Sequence, residues 1–396
     1  PSPNAMTNCE EYNGSSWTAT GTLNVATGFA SAFGIQTNAV AQTNGSNYVE
    51  TEAYDGSTWT TLPNMSVSSP GGLYGSSAGS TGDAGWVSSM GPNYDATEEF
   101  NRTVNTITAG AWASGGDMPA SYYGFSAFAG TQTAGIALGG KTPPGDQATI
   151  LKYDGTSWSA NPSNLNTARR SGASVGTQTA TLLSGGVTGG TTFKNEVEEF
   201  DGSSASNQNP LPYSGSSNFG FGTQTAAVVA GGYAPPFPTL ASTNVEYDGT
   251  NWTSATALPA ARGLGGSAGM AQTTGLVWAG LSPSQVNTTL EYDGTNWTSG
   301  GTYGESKSNL QGWGDQTSAI GAGGEGGGDS SNTFVYDGTT WATQPSMPGV
   351  RKQSGSGGAD ATAGLIFGGE TPPITNTTIE WTGETTALNV KTLTQA

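Results

Sequence analysis

Ile150-Leu151-Lys152-Tyr153-Asp154-Gly155-Thr156-Ser157-Trp158-Ser159-Ala160 places an Asp-Gly pair between two short runs of strand-type residues. Asp-Gly in that setting is a hairpin signal, and the aromatic residues on either side give the hairpin something to bury. The same Tyr-Asp/Asn-Gly-x-x-Trp phrase stands at Tyr12–Trp17, Tyr54–Trp59, Tyr153–Trp158, Tyr247–Trp252, Tyr292–Trp297 and Tyr336–Trp341. Weaker copies carry Phe100, Phe200 and Trp381 at the leading aromatic position, and the intervals between copies run from 42 to 53 residues. A β-type repeat of that length predicts an all-β propeller built of four-stranded antiparallel blades.

A full copy, Ser171 to Pro210, shows the plan of a blade. Ser171–Val175 is a small-residue strand a, Ala180–Ser184 an apolar strand b, and Asn195–Phe200 an alternating strand c, with Asp201-Gly202 turning into strand d. Gly-Thr-Gln-Thr turns separate a from b at Gly130, Gly176 and Gly222, and double glycines follow strand b at Gly139, Gly185, Gly231, Gly323 and Gly368. A two-residue type I′ turn at Asp154-Gly155 would set Tyr153 opposite Thr156 and Leu151 opposite Trp158. All four side chains then share one face, so Tyr and Trp are expected to form the core between neighbouring blades.

An apolar strand closed by a double glycine, as in Leu182-Leu183-Ser184-Gly185-Gly186, followed by a Tyr and a Trp, resembles the Kelch repeat. Arg169, Arg262 and Arg351, each ahead of a first strand, are similar to that pattern, and the resemblance spans essentially the whole chain. The tight Tyr-to-Trp spacing and the Asp-Gly turn depart from it. The Gly-Thr-Gln-Thr-Ala and Tyr-Asp-Gly-Thr-x-Trp wording is most similar to Kelch-like proteins of marine tailed phages.

Eight inner hairpins are legible, turning near Gln36, Gly82, Gln132, Gln178, Gln224, Gln272, Gln316 and Ala361, against nine outer hairpins. The expectation is one domain over residues 1–396 with eight blades, seven and nine being the alternatives. Pro1-Ser2-Pro3 aligns with the prolines that follow Gly139-Gly140 and Gly368-Gly369, so the chain opens in mid-blade. The half-blade 1–24 is expected to complete the last inner hairpin and close the ring, leaving 377–396, which lacks Asp-Gly and a final Trp, as a divergent strand or tail. In the competing arrangement that tail completes its own blade.

Net charge is −18, from 29 acidic and 11 basic residues, which excludes the basic footprint of a nucleic-acid binder and disfavours anionic membranes. No apolar run is long enough for a membrane-spanning helix. The chain has no histidine and a single cysteine, Cys9, so Ser-His-Asp and Cys-His catalysis, Cys/His zinc sites and an internal disulfide are all unavailable. Two carboxylates would suffice for glycoside hydrolysis. The acidic residues at the end of strand c, such as Glu199, Glu246, Glu291 and Glu380, recur in register, which marks a structural role. No cofactor or metal is expected beyond incidental calcium in acidic loops such as Glu325–Asp329 and Gly91–Asp95.

Function should therefore reside where the repeat departs from itself. Tyr94, Tyr122, Tyr123, Tyr233, Phe237 and Trp313 lie outside the consensus aromatic positions and are the candidate ligand-binding residues. The expected role is a non-enzymatic structural or adhesion protein of a phage virion, extracellular in location, that binds host-surface glycan or a neighbouring virion protein. An oligomer is compatible with that role. A carbohydrate-active enzyme and a cellular Kelch-type interaction scaffold are the alternatives.

Overall fold

The computed structural model describes residues 5–28, 30–43, 49–65, 77–90, 96–101, 104–125, 127–143, 145–370 and 373–389. The regular structure in these residues is antiparallel β, with seven four-stranded sheets and one three-stranded sheet as its main elements. All eight inner hairpins are present, but the chain divides into two compact units, Pro1–Thr108 with Thr386–Ala396 and Ala109–Thr385.

The second unit holds six four-stranded sheets, each ordered a-b-c-d. Sheets one to five follow the chain without interruption, and their inner strands are Ala127–Thr131, Ala173–Thr177, Phe219–Thr223, Gly266–Ala271 and Gln311–Asp315. Sheet six has Gly355–Asp360, Ala363–Phe367 and Thr378–Thr382 as strands a to c, and its outermost strand is Ala111–Ser114 from the start of the unit. Each inner strand lies beside the next, and that of sheet six lies beside that of sheet one, so the series returns on itself after six.

This corrects the expected closure. The hairpin Glu10–Tyr12/Trp17–Ala19 pairs within itself in the first unit, and residues 378–382 form a full strand c. The final Trp that the ninth copy lacked is Trp112, which faces Trp381 in register as Trp158 faces Tyr153. Its two halves lie at opposite ends of the unit, so no local reading of the chain could pair them.

A backbone circuit seals the same closure. Gly124, Ser171, Ser217, Leu264, Asn309 and Gln353 precede the six inner strands and all adopt left-handed φ between 52° and 62°. The amides of Ser171, Ser217, Leu264, Asn309 and Gln353 donate to the carbonyls of Gly124, Ser171, Ser217, Leu264 and Asn309 at 3.2, 2.6, 3.3, 2.7 and 3.1 Å. The amide of Gly124 donates to Gln353 O at 2.8 Å and completes the loop. Five non-glycine residues in a conformation that ordinarily disfavours a Cβ are held there by six mutually supporting bonds.

The Asp-Gly hairpins differ from the expected two-residue turn. Tyr153 pairs with Trp158 and Leu151 with Ala160, leaving a four-residue loop, Asp154–Ser157. The cause is the Asp154 carboxylate, whose Oδ1 accepts the amides of Thr156 and Ser157 at 2.8 Å each. An aspartate that bonds the amides two and three residues on builds its own turn. The shift of two residues preserves the face, so Tyr153 and Trp158 still lie together with ring centroids 5.0 Å apart.

The glutamine of the a–b turn does more than turn the chain. The side-chain amide of Gln178 donates to the carbonyls of Gly135 and Tyr153 in the preceding sheet, each at 2.8 Å. Gln132, Gln224, Gln272 and Gln316 make the equivalent pair of bonds, Gln132 across the closing junction to Gly364 and Trp381. At the remaining junction, with no such glutamine, the Ala361 amide donates to Ser318 Oγ at 3.0 Å. Large side chains on one sheet fill the space left by glycines on the next: a Cβ added to Gly275 would lie 2.2 Å from the Phe221 ring, and one on Gly364 would lie 2.2 Å from Trp313.

The first unit repeats the plan without a described cycle. It contains the hairpin Glu10–Tyr12/Trp17–Ala19, a four-stranded sheet of Ala30–Ile35, Asn38–Thr43, Glu50–Tyr54 and Trp59–Leu62, and a three-stranded sheet of Ser77–Thr81, Ala84–Met90 and Ala96–Asn101. Phe33 of the four-stranded sheet packs on Gly79, Gly85 and Phe100 of the three-stranded one.

Candidate functional site

The loops joining strands b and c lie on the same side of the second unit as the backbone circuit. Bridges tie each to the residues just ahead of strand a: Tyr123 with Lys141, Arg170 with Val187, Ser216 with Tyr233, Gly263 with Leu281, Ser308 with Glu325 and Lys352 with Glu370. A cavity of about 200 Å³ runs between the six inner strands, lined largely by glycine, alanine and serine. It opens through a mouth of about 160 Å³ lined by the circuit residues together with Phe125, Asn218, Leu310 and Ser354. Among the described residues its walls carry no carboxylate or cationic side chain.

The candidate aromatic residues separate cleanly. Tyr122 is 6% exposed and stacks on Phe125 at 5.7 Å, while Trp313 is 3% exposed and donates its indole N–H to Asp360 O at 3.1 Å. Tyr122 is thus packed in the core, and Trp313, though buried, lines the cavity between the inner strands. Tyr123 is half-buried with the Lys141 ammonium 5.5 Å above its ring. Tyr94 lies outside the described residues.

Tyr233 and Phe237 come together on the b–c loop of sheet three with ring centroids 5.1 Å apart. The Tyr233 amide and carbonyl bond Ser216 at 2.7 and 3.0 Å, one residue from the circuit residue Ser217. Burial of its ring raises the Tyr233 hydroxyl above its ordinary pKa, and Phe237 is 57% exposed. Phe193, on the b–c loop of sheet two, lies 6.4 Å from Phe237. It escaped the sequence reading because only the fold brings two loops 44 positions apart together, and nothing local marks Thr192-Phe193.

The recurring carboxylates have a structural employment. The hydroxyls of Tyr247, Tyr292 and Tyr336 donate to Glu199, Glu246 and Glu291 of the preceding sheet at 3.1, 2.7 and 2.5 Å, and Tyr153 donates to Glu380 across the closure. Burial, reinforced by the adjacent carboxylate, pushes the hydroxyls of Tyr153, Tyr247 and Tyr336 up to about 12. Where the aromatic residue lacks a hydroxyl, the carboxylate is missing too. Phe200 has the Lys152 ammonium 5.2 Å from its ring, and Val335 packs near Trp381. Glu198 is likewise committed, its Oε1 2.5 Å from the buried Arg169 guanidinium.

In the acidic loop Glu325–Asp329 the Lys352 ammonium lies 3.0 Å from Glu325 and 3.3 Å from Asp329. The Gly91–Asp95 loop lies outside the described residues. Among the described residues no group of three or more His, Cys, Asp or Glu side chains is placed to hold a metal ion. No protein-family model matches the chain, and no curated protein matches its sequence.

Proposed function

We propose that the second unit is a six-bladed β-propeller and that the chain is a non-enzymatic attachment protein of a tailed-phage virion, recognising host-surface glycan. The supporting observation for binding is the exposed Phe237 ring, backed by Tyr233 and Phe193 on neighbouring b–c loops. Sugar rings stack their C–H faces on such aromatic surfaces, and the Ser, Asn and Gln side chains around the mouth supply neutral hydrogen-bonding groups. The strand-c glutamates bound to tyrosine favour binding over hydrolysis, because those carboxylates hold sheets together. The virion assignment rests on the resemblance of the repeat to phage Kelch-like proteins. A glycan array, run beside a hydrolysis assay on the retained polysaccharide, tests the reading. Expected are retention without bond cleavage and at least a tenfold loss of retention in Phe237→Ala. Cleavage abolished by removing one carboxylate would replace it with the enzymatic alternative.

A further inference from the structure

Among the described residues the first unit presents two exposed sheet faces whose counterparts elsewhere in the molecule are covered. Tyr12 is 49% exposed and Trp17 66%, whereas Tyr54, Tyr153, Tyr247, Tyr292 and Tyr336, at the position of Tyr12, are 0–4% exposed. In the covered copies this face lies against the preceding sheet, where the tyrosine finds a glutamate. Tyr54, for example, donates to Glu11 at 2.5 Å.

The second uncovered face belongs to the three-stranded sheet. Gly85 and Phe100 point toward Phe33, so by strand alternation Ala84, Trp86 and Glu99 point the other way. Trp86 pairs with Glu99 in register, as Leu182 pairs with Glu199, Val228 with Glu246, Leu276 with Glu291 and Leu365 with Glu380. Those four aliphatic residues are 0–1% exposed, each clustered with the tyrosine of the next sheet. Trp86 is 40% exposed, and Glu99 is exposed at the edge of an open hollow shared with Ala78 and Ala84.

We infer that the Tyr12–Trp17 face of one copy of this chain docks on the Trp86–Glu99 face of another. The occupant is a second copy because the two faces complement each other in the manner of the covered junctions. One offers a tyrosine hydroxyl and a tryptophan, the other a glutamate in register with an apolar side chain, and every chain carries both. Trp86 supplies the apolar floor for Tyr12, and Glu99 accepts the Tyr12 hydroxyl. Such a contact is heterologous, joining different faces, and propagates head to tail until it closes.

Sedimentation velocity of the full chain over a micromolar concentration series tests this. The wild-type protein is expected to associate with rising concentration. Trp17→Arg and Trp86→Arg, both at exposed positions and both retaining the wild-type circular dichroism, are each expected to remain monomeric. An equimolar mixture of the two is expected to form a dimer and nothing larger, since each variant keeps one working face. Tyr12→Phe and Glu99→Gln should each weaken association about tenfold, with no further loss when combined. A wild-type chain that stays monomeric, variants that associate as the wild type does, or a mixture that yields no dimer would each overturn the proposal.

Discussion

Tyr153–Trp158 and Tyr12–Trp17 are the same hairpin in different surroundings. Their ring centroids are 5.0 and 5.1 Å apart, and Asp154 and Asn13 each accept the amides two and three residues ahead. Yet Tyr153 is fully buried and Tyr12 is half exposed. The six-residue phrase therefore specifies a turn and an aromatic pair, while burial and the stabilisation it brings come from the neighbouring sheet. The motif is a local instruction whose energetic return depends on a contact made some 45 residues, or a whole unit, away.

The largest contrast is expected between Trp381→Ala and Trp17→Ala. Trp381 is 1% exposed at the closing junction, and its truncation should cost about 3–5 kcal/mol in urea denaturation. Trp17→Ala in dilute solution should stay within about 0.5 kcal/mol of the wild type. An equal cost at both sites would mean that the neighbouring sheet is not what stabilises the motif.

The next contrast lies in the carboxylates. Glu380→Ala strands the buried Tyr153 hydroxyl and should cost about 1–3 kcal/mol, an effect that Tyr153→Phe in the same chain largely removes. Glu99→Ala, by contrast, should change the stability of the monomer by less than about 0.5 kcal/mol. Gln178→Ala deletes two bonds across one junction and should cost about 1–2 kcal/mol, read as a lowered urea midpoint at unchanged slope.

The smallest effect at neutral pH is the tyrosine titration. The hydroxyls of Tyr153, Tyr247 and Tyr336 stand at about 12 against an ordinary 10.0, so the folded state holds their neutral form. Their contribution is fully present below pH 10 and fades as pH rises from about 10 to about 12, where only the unfolded chain ionises. Absorbance at alkaline pH should show a late tyrosinate step reduced by Tyr153→Phe.

Much of the fold was legible because its signals are local. Small-residue strands, Gln-Thr turns, apolar strands and double glycines located all eight inner hairpins. The turn register was misread because the Asp154 side chain, rather than the Asp-Gly dihedrals alone, decides the loop length. Ring closure was misplaced because Ala111–Ser114 carries a Trp with no Tyr-Asp-Gly ahead of it, its hairpin partner being Trp381. At the candidate site Tyr233 and Phe237 could be named from the Pro-rich loop, whereas Tyr122 and Trp313 could not be told from core residues by composition. An aromatic residue outside a repeat position says only that the repeat is broken there. Whether it faces solvent depends on glycines such as Gly358 and Gly364, which open a socket for Trp313 on another sheet.

The central claim is that the second unit closes after six sheets, and amide hydrogen exchange at Gly124 tests it most directly. The Gly124 amide bonds Gln353 O, joining the first sheet of the unit to the last, whereas the Ser217 amide bonds Ser171 O between sheets consecutive in the chain. Closure predicts that Gly124 exchanges as slowly as Ser217, with protection at both set by opening of the whole circuit. Exchange of Gly124 at the rate of a free loop amide, with Ser217 still protected, would contradict the closed ring.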